Sequence, residues 1–297
     1  SKIILFYLQT FFAPIQITVA HVWIVNNFSF NNFFIPIFLE LVFITLAISF
    51  FLILLKKKDK VNLKIYSFFS IWFIFGLLLH LQLIPLDLTV SDRWFYFPMV
   101  GILGVLGVVI NRFYSNFPDL KRIIYLLFII IIIFFSLKTI IRNTDWKDDY
   151  SLFNHDLLLD QNNFYLQNRV GVADFTLAKY ESAKEHIDKS IKLFPTSSAL
   201  SSLGVIYLQQ GDYTKAEKYL NEAINLDKSN YSAYQNLIYL YLKDKDYKKA
   251  DILARYALKL FPNNDQIWIL LALSEYNLGN KDEAIRDINT ANKISPS

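Results

Sequence analysis

Cysteine is absent from the 297 residues of this chain, and histidine and methionine are scarce, with four residues and one. Without cysteine the chain has no disulfide, no thiolate metal site and no cysteine nucleophile. The histidines show no metal-ligand spacing, and the sequence contains no phosphate-binding loop, GxSxG or HExxH motif. The familiar catalytic constellations are therefore excluded, and the sequence assigns no metal ligands. His155 and His186 are expected at the surface.

The first residues are not expected to form a signal peptide, because they are not a short apolar segment followed by a small-residue cleavage site. The chain starts directly in apolar sequence without an initiator methionine. From this start we expect a C-terminal fragment of a longer protein. Its richness in Ile, Asn, Lys and Phe suggests an AT-rich, bacterial genome.

Charge is unevenly divided between the two halves of the chain. Residues 1–142 hold 12 Lys and Arg against 5 Asp and Glu, whereas residues 143–297 hold 18 against 21. The positive excess thus lies in the more apolar half. There it indicates charge that orients a membrane protein rather than a nucleic-acid surface. We expect membrane lipid, and no nucleic acid, among the partners.

Five apolar segments in the first half approach the length of about 20 residues that crosses a bilayer. They lie at about 3–13, 34–55, 65–84, 95–111 and 123–141, and the first resembles the end of a span. The positive-inside rule places the basic loops after the second and fourth segments in the cytoplasm. Loops 14–33 and 85–94, and everything after residue 142, then face outward. The sequence predicts a multi-pass membrane protein whose second half is extracytoplasmic.

Glycine recurs every third residue in the fourth segment, at Gly101, Gly104 and Gly107. Small residues let two spanning helices approach closely. Because the spacing is not the four-residue dimer motif, packing inside the domain is the favoured interpretation.

The second half repeats itself with a period of 33 or 34 residues. Small residues recur at two positions, at Ala183, Ala216, Ala250 and Ala284, and seven residues later at Ser190, Ala223, Ala257 and Ala291. Tyrosine precedes the first of these positions by three residues in three units. A unit of this length, with small residues where two helices cross, is typical of the tetratricopeptide repeat (TPR).

These patterns predict an all-α chain with three regions. They are a transmembrane helical domain at 1–142, a connector with a half-repeat helix at 143–163, and a TPR solenoid of about four repeats at 164–297. In the connector helix, Leu152, Phe153, Leu157 and Leu158 form the predicted apolar face. A solenoid of this kind binds other molecules, so we expect a protein or peptide partner on its surface.

One outward loop carries the main candidate site residues. Asp92 and Arg93 stand at the membrane boundary, directly before an aromatic stretch at 94–97. The planar guanidinium of arginine binds phosphate oxygens in pairs, so Arg93 is suited to hold a lipid phosphate. An ion pair that only orients the fourth span explains the same residues equally well. Candidate residues lining such a site are Asp87, Tyr96, His80 and Glu40; for His80 an interface role, and for Glu40 a position near the membrane surface, stay open.

Two short motifs resemble one family. The stretch Val90-Ser91-Asp92-Arg93-Trp94-Phe95-Tyr96-Phe97-Pro98 is similar to the outer-loop motif of the transmembrane and TPR O-mannosyltransferases. Arg142-Asn143-Thr144-Asp145-Trp146, followed by Ser151-Leu152-Phe153, is similar to that family's link between its last span and first repeat. The resemblance implies a membrane glycosyltransferase of the GT-C type. It would use a polyprenyl-phosphate-linked sugar donor and a protein hydroxyl acceptor outside the cytoplasm.

The same resemblance implies roles for individual residues. Arg93 would contact the donor phosphate and Asp92 would orient it, while Arg142 and Trp146 would hold the membrane half against the solenoid. The family's catalytic acid lies in a first outer loop, which we expect upstream of Ser1, so the catalytic residue stays unassigned. Dependence on a divalent metal stays open. A non-catalytic, membrane-anchored TPR scaffold for envelope complexes remains the alternative function.

Overall fold

The computed structural model describes residues 2–14, 17–22, 30–80 and 89–295. Helices dominate these residues, which confirms the predicted all-α class. The chain forms two compact units, Ser1–Leu159 and Asp160–Ser297. The division falls inside the predicted connector 143–163, and the helix predicted as a half repeat belongs to the first unit.

Six α-helices form the described part of the first unit. They are α1 (Lys2–Phe12), α2 (Ile35–Lys56), α3 (Lys60–His80), α4 (Tyr96–Asn116), α5 (Lys121–Asn143) and α6 (Asp149–Leu159). Single turns at Asp92–Phe95, Pro118–Leu120 and Asp145–Lys147 are 3₁₀-helical, and Phe30–Phe34 is a π-helical turn. Two short strands, β1 (His21–Val22) and β2 (Thr89–Val90), pair antiparallel with His21 opposite Val90.

Four helices of this unit are long and apolar enough to cross a membrane: Ile35–Lys56, Lys60–Leu78, Tyr96–Ser115 and Lys121–Asn143. The apolar helix α1 is shorter, with 11 residues. Along α5 the side chains of the five consecutive isoleucines are 46–61% exposed. A continuous apolar surface of this length requires hydrocarbon around it. The first unit is therefore membrane-associated, through helices close to the four complete spans predicted.

Two of the three predicted packing glycines hold α3 and α4 together. A Cβ atom on Gly101 would lie 2.6 Å from the backbone nitrogen of Phe73, and one on Gly104 would lie 2.1 Å from the ring of Phe69. Neither distance is compatible with a side chain. Around Gly107 no atom lies within 4 Å of such a Cβ among the residues described. The packing role therefore belongs to Gly101 and Gly104 and not to Gly107.

The second unit consists of four helix pairs. They are α7 (Phe164–Thr176) with α8 (Tyr180–Leu193), α9 (Ser197–Gln209) with α10 (Tyr213–Leu226), α11 (Tyr231–Lys243) with α12 (Tyr247–Leu260), and α13 (Asp265–Leu278) with α14 (Lys281–Ile294). The recurring small residues lie where the helices of a pair touch, and Ala183, Ala216 and Ala250 are completely buried. A larger side chain at these positions would push the paired helices apart.

Each helix pair also starts in the same way. Asn163, Thr196, Asn230 and Asn264 stand directly before the first helix of each pair, and each side chain accepts a hydrogen bond from the backbone N–H three residues later. Such a residue satisfies an otherwise unpaired N–H of the first turn and stabilises a helix by about 1 kcal/mol. The caps therefore fix the beginning of every repeat at the period seen in the sequence.

Candidate functional site

The outer-loop motif of the sequence begins beside a small antiparallel pairing of two distant segments. Ser91, directly after β2, is buried. Its hydroxyl donates to the carbonyl of Val19 over 3.5 Å, and its own carbonyl accepts from the hydroxyl of Tyr7 over 3.5 Å and from the N–H of Trp94 over 3.1 Å. The start of the motif is thereby fixed to α1 and to residues 17–22.

The second motif forms a buried ion cluster at the end of α5. The Nη2 atom of Arg142 lies 2.7 Å from Oδ1 of Asp156, and its Nη1 atom lies 3.0 Å from Oδ2 of Asp145. The side chain of Asp156 is fully buried and that of Arg142 is 14% exposed. A buried carboxylate is stable only with such partners. Since Asp145, Asp156 and Arg142 all belong to the first unit, Arg142 holds α6 to the end of α5 within that unit.

One backbone residue joins the outer-loop motif to the ion cluster of Arg142. The N–H of Val19 donates to Oδ2 of Asp156 over 2.7 Å, while its carbonyl accepts from the hydroxyl of Ser91. Residues 91 and 156 are far apart in sequence, and residue 19 is far from both. The structure therefore brings the outer-loop motif and Asp156, the buried partner of Arg142, to the same short segment, 17–22.

His155 completes the ion cluster. Its Nδ1 atom lies 2.9 Å from Nη1 of Arg142, 3.2 Å from Oδ1 of Asp156 and 3.6 Å from Oδ2 of Asp145. A neutral ring with a free Nδ1 accepts from Arg142, whereas a protonated Nδ1 donates to a carboxylate. The side chain is 40% exposed, so the expected surface position is only half right. Nothing in the sequence identified His155 as a partner of Arg142.

The predicted site residues are described only in part. Asp92 and Arg93 begin the 3₁₀ turn Asp92–Phe95, but their side chains lie outside the described residues, as do the side chain of His80 and the whole of Asp87. Tyr96 opens α4 with a side chain that is 68% exposed. Glu40 lies in the second turn of α2, and its Oε1 atom is buried without a hydrogen-bond partner in the part of the chain described.

The second unit contains a groove between its first three helix pairs. The groove encloses about 400 Å³ and is lined chiefly by α7, α9 and the start of α11. Hydroxyl side chains dominate its polar lining, among them Ser198, Ser201, Ser202 and Ser232. Valines at the same place in successive repeats, Val172 and Val205, form part of its apolar lining. Its size is within the range of ligand pockets.

A buried carboxyl group distinguishes the last repeat. Glu275 on α13 is 1% exposed, and its Oε1 atom accepts from the guanidinium of Arg255, which also binds both carboxylate oxygens of Asp251 over 3.1 and 3.2 Å. Burial, followed by the hydrogen bond with Asp287 and the repulsion from it, raises the pKa of Glu275 from 4.5 to about 7, although Arg255 opposes this. Glu275 therefore holds its proton up to nearly neutral pH.

Tetratricopeptide-repeat family models match residues 197–230 and 236–297. The second unit is a TPR solenoid. The predicted repeats are thereby confirmed for the last three helix pairs, and the pair α7–α8 continues the same arrangement at the other end.

Similar proteins include protein O-mannosyl-transferases. The chain is 29% identical over 111 residues to protein O-mannosyl-transferase TMTC3 of Mus musculus, which is 37% of this chain and 12% of that protein. It is 26% identical over 107 residues to Tmtc2 of Drosophila melanogaster, covering 36% and 11%. A TPR repeat-containing protein, MJ1428 of Methanocaldococcus jannaschii, is 33% identical over 99 residues, covering 33% and 18%. The matches thus span less than a fifth of each relative, and they confirm the resemblance to this family.

Solved TPR structures also align with the chain. The crystal structure of MamA is 20% identical, covers 49% of this chain and 85% of that one, and has a TM-score of 0.43. The crystal structure of YrrB, described as a TPR protein with an unusual peptide-binding site, is 15% identical, covers 50% and 77%, and has a TM-score of 0.40.

Proposed function

We propose that this chain is the C-terminal part of a membrane glycosyltransferase. The donor is a sugar linked to polyprenyl phosphate, the acceptor is a protein hydroxyl, and the TPR solenoid binds the acceptor protein outside the cytoplasm. The observation that carries the proposal is that Val19 bonds both to Ser91 of the outer-loop motif and to Asp156, the carboxylate that pairs with Arg142 of the link motif. This shared segment holds Ser91, two residues before Arg93, in place.

Arg93 is the residue proposed to contact the donor. It follows Ser91 by two residues, so the hydrogen bonds of Ser91 fix the backbone from which it extends. In the reaction, the acceptor hydroxyl attacks the anomeric carbon of the sugar as polyprenyl phosphate leaves. A guanidinium beside the departing phosphate stabilises the negative charge that gathers there, which lowers the barrier. Asp92 would orient this guanidinium.

The acid–base side of the reaction lies outside the residues assigned in this chain. The acceptor proton would pass to an acidic residue in an outer loop upstream of Ser1, in line with the family resemblance. The Arg142 cluster is assigned a structural role, because its buried carboxylate, Asp156, is bound to both Arg142 and Val19. Its role is to hold residues 17–22, and through them Ser91, in place.

Lipid retention tests the donor site. The chain and its Arg93→Ala variant are purified in mild detergent, and bound lipids are identified by native mass spectrometry. We expect polyprenyl phosphate on the parent and at least tenfold less on Arg93→Ala, a loss of about 1.4 kcal/mol or more. Arg122→Ala is the matched control, because Arg122 is an exposed arginine at the opposite end of the spanning helices and its loss leaves retention unchanged.

Sugar transfer by the complete protein tests whether Arg93 acts in the reaction. Arg93→Lys keeps the charge but loses the paired geometry, so transfer falls for both Arg93→Lys and Arg93→Ala. If both variants transfer sugar as fast as the parent, Arg93 does not belong to the donor site. A complete protein that neither retains the lipid nor transfers sugar would instead favour the membrane-anchored scaffold.

A further inference from the structure

Five exposed lysines lie within nine residues where α2 ends and α3 begins. They are Lys56, Lys57, Lys58, Lys60 and Lys64, here called the lysine cluster. Within the residues that the structure describes, none of their ammonium groups forms an ion pair. The cluster lies at the end of the spans that is predicted to face the cytoplasm, so its charge is available to a ligand at the membrane surface.

The one acidic residue in this stretch is already engaged by other groups. The Oδ1 atom of Asp59 accepts from the backbone N–H of Asn62 over 3.2 Å, and its Oδ2 atom accepts from Nδ2 of the same side chain over 2.8 Å. The Nη1 atom of Arg112 on α4 lies 3.7 Å from Oδ2 of Asp59. Asp59 therefore caps α3 and pairs with α4, which leaves the lysine cluster with a large excess of positive charge.

The electrostatics of the two helices explain only part of the lysine cluster. Lys56 ends α2, and Lys57 and Lys58 follow it. The C-terminal end of a helix attracts cations, so the local structure explains these three lysines. Lys60 begins α3 and Lys64 lies about one turn later, at the end of a helix that instead favours anions. An anionic group beside Lys60 would be stabilised by both lysines and by the N-terminus of α3.

The exposed surface beside these two lysines is apolar. Lys60 and Lys64 are four residues apart on α3, as are Val61 and Ile65, and side chains with this spacing share one face of a helix. Val61 is 68% exposed and Ile65 is 40% exposed, and Phe68, next along the same face, is 55% exposed. A ligand here meets two cations at the end of the helix and an apolar surface that continues along it.

A cleft of about 240 Å³, here called the aromatic cleft, continues this apolar surface. It is lined by Phe68, Ile71, Trp72, Phe75 and Phe97. The indole N–H of Trp72 donates to the carbonyl of Phe97 over 3.0 Å, so the lining is apolar. Phe68 lies about 12 Å along the helix axis from Lys60, which is less than the depth of about 15 Å of one hydrocarbon leaflet. An acyl chain whose headgroup lies at Lys60 therefore reaches the cleft.

We propose that Lys60 and Lys64 bind the headgroup of an anionic phospholipid. Its phosphodiester lies between the two ammonium groups, and its acyl chain follows Val61 and Ile65 and ends in the aromatic cleft. Clusters of about four to eight basic residues beside a spanning helix are typical of surfaces that recognise anionic lipids. The adjoining apolar surface favours a lipid over a nucleic acid. The site lies at the other end of α3 from Arg93, so the inference is independent of the proposed sugar transfer.

Brominated lipids test this inference on the full chain in mild detergent. Phosphatidylglycerol and phosphatidylcholine with identical brominated acyl chains are titrated, and quenching of tryptophan fluorescence reports binding, because Trp72 lines the cleft. We expect phosphatidylglycerol to bind about tenfold more tightly or better. The preference should shrink when the salt concentration rises from about 0.1 M to about 1 M, because salt screens exposed charges. Equal binding of the two lipids would overturn the inference.

Glutamine substitutions locate the headgroup. The double variant Lys60→Gln, Lys64→Gln should lose the preference for phosphatidylglycerol while its binding of phosphatidylcholine stays unchanged. The double variant Lys56→Gln, Lys57→Gln removes the same charge at the end of α2 and should retain most of the preference. Both pairs are exposed, so thermal melting should show that the variants remain folded. If the first variant keeps the preference of the parent, or the two variants lose it equally, Lys60 and Lys64 do not form the site.

Competition identifies the kind of ligand. Unbrominated phosphatidylglycerol should relieve the quenching, whereas inorganic phosphate or a short single-stranded DNA at the same concentration should not. Displacement by inorganic phosphate would mean that a phosphate group is recognised without its lipid. Displacement by the DNA would mean that the lysine cluster is a nucleic-acid surface. Either displacement would overturn the inference.

Discussion

Removal of the Asp156 carboxylate should release the segment 17–22. In the Asp156→Ala variant, the N–H of Val19 loses its acceptor and Arg142 loses the closer of its two carboxylates. Breaking a buried pair costs about 3–5 kcal/mol. We expect the lower end, about 3 kcal/mol, because Asp145 still binds Arg142 over 3.0 Å. Asp156→Asn keeps an oxygen that accepts from Val19 and should cost less.

Amide hydrogen exchange measures the release of segment 17–22 directly. The amide of Val19 is itself the donor, so exchange in the peptide that contains residues 17–22 reports on the bond. A loss of about 3 kcal/mol corresponds to exchange faster by roughly a hundredfold. Asp119→Asn is the control, because Asp119 is an exposed carboxylate in the loop between α4 and α5. If Asp156→Ala exchanges no faster than this control, Asp156 does not anchor the segment.

Two other predictions concern the last repeat and the spanning helices. The pKa of Glu275 is raised by burial to about 7, so the folded state loses up to about 3 kcal/mol as the pH rises from below 4.5 to above 7. Melting temperatures of the parent should fall over this range, and Glu275→Gln should remove much of the fall. Gly101→Ala should destabilise the contact of α3 with α4 by about 1–3 kcal/mol in detergent melts, whereas Gly107→Ala should be neutral or slightly stabilising.

Periodicity made the solenoid predictable. Within each pair, small residues at fixed intervals determine where two helices can touch, and caps such as Asn163 and Asn264 determine where each pair begins. The same short pattern recurs in each repeat, so each repeat supports the assignment of the others. Hydropathy alone likewise predicted the four spanning helices, because a helix that crosses a bilayer needs mainly sufficient length and apolar side chains.

The predicted apolar face of α6 is wrong at one residue. Leu158, expected on the apolar face, is 70% exposed, while Asp156 takes a buried place beside Leu152, Phe153 and Leu157. Residues 152, 153, 156 and 157 lie one turn apart on one side of a helix. An aspartate among these apolar side chains is explained by the hydrogen bond that it accepts from the N–H of Val19. That partner is 137 residues away, so no local pattern indicates it.

The two units are stabilised by different kinds of contact, so a single substitution has different consequences in each. In the first unit, apolar helices need hydrocarbon around them, and the described segment 17–22 is held by a hydrogen bond to the buried carboxylate of Asp156. In the second unit, small residues such as Ala216 and many similar contacts share the work of packing. Loss of one bond is therefore severe in the first unit and is diluted in the second. For this reason variants of Asp156 test the structure of the first unit.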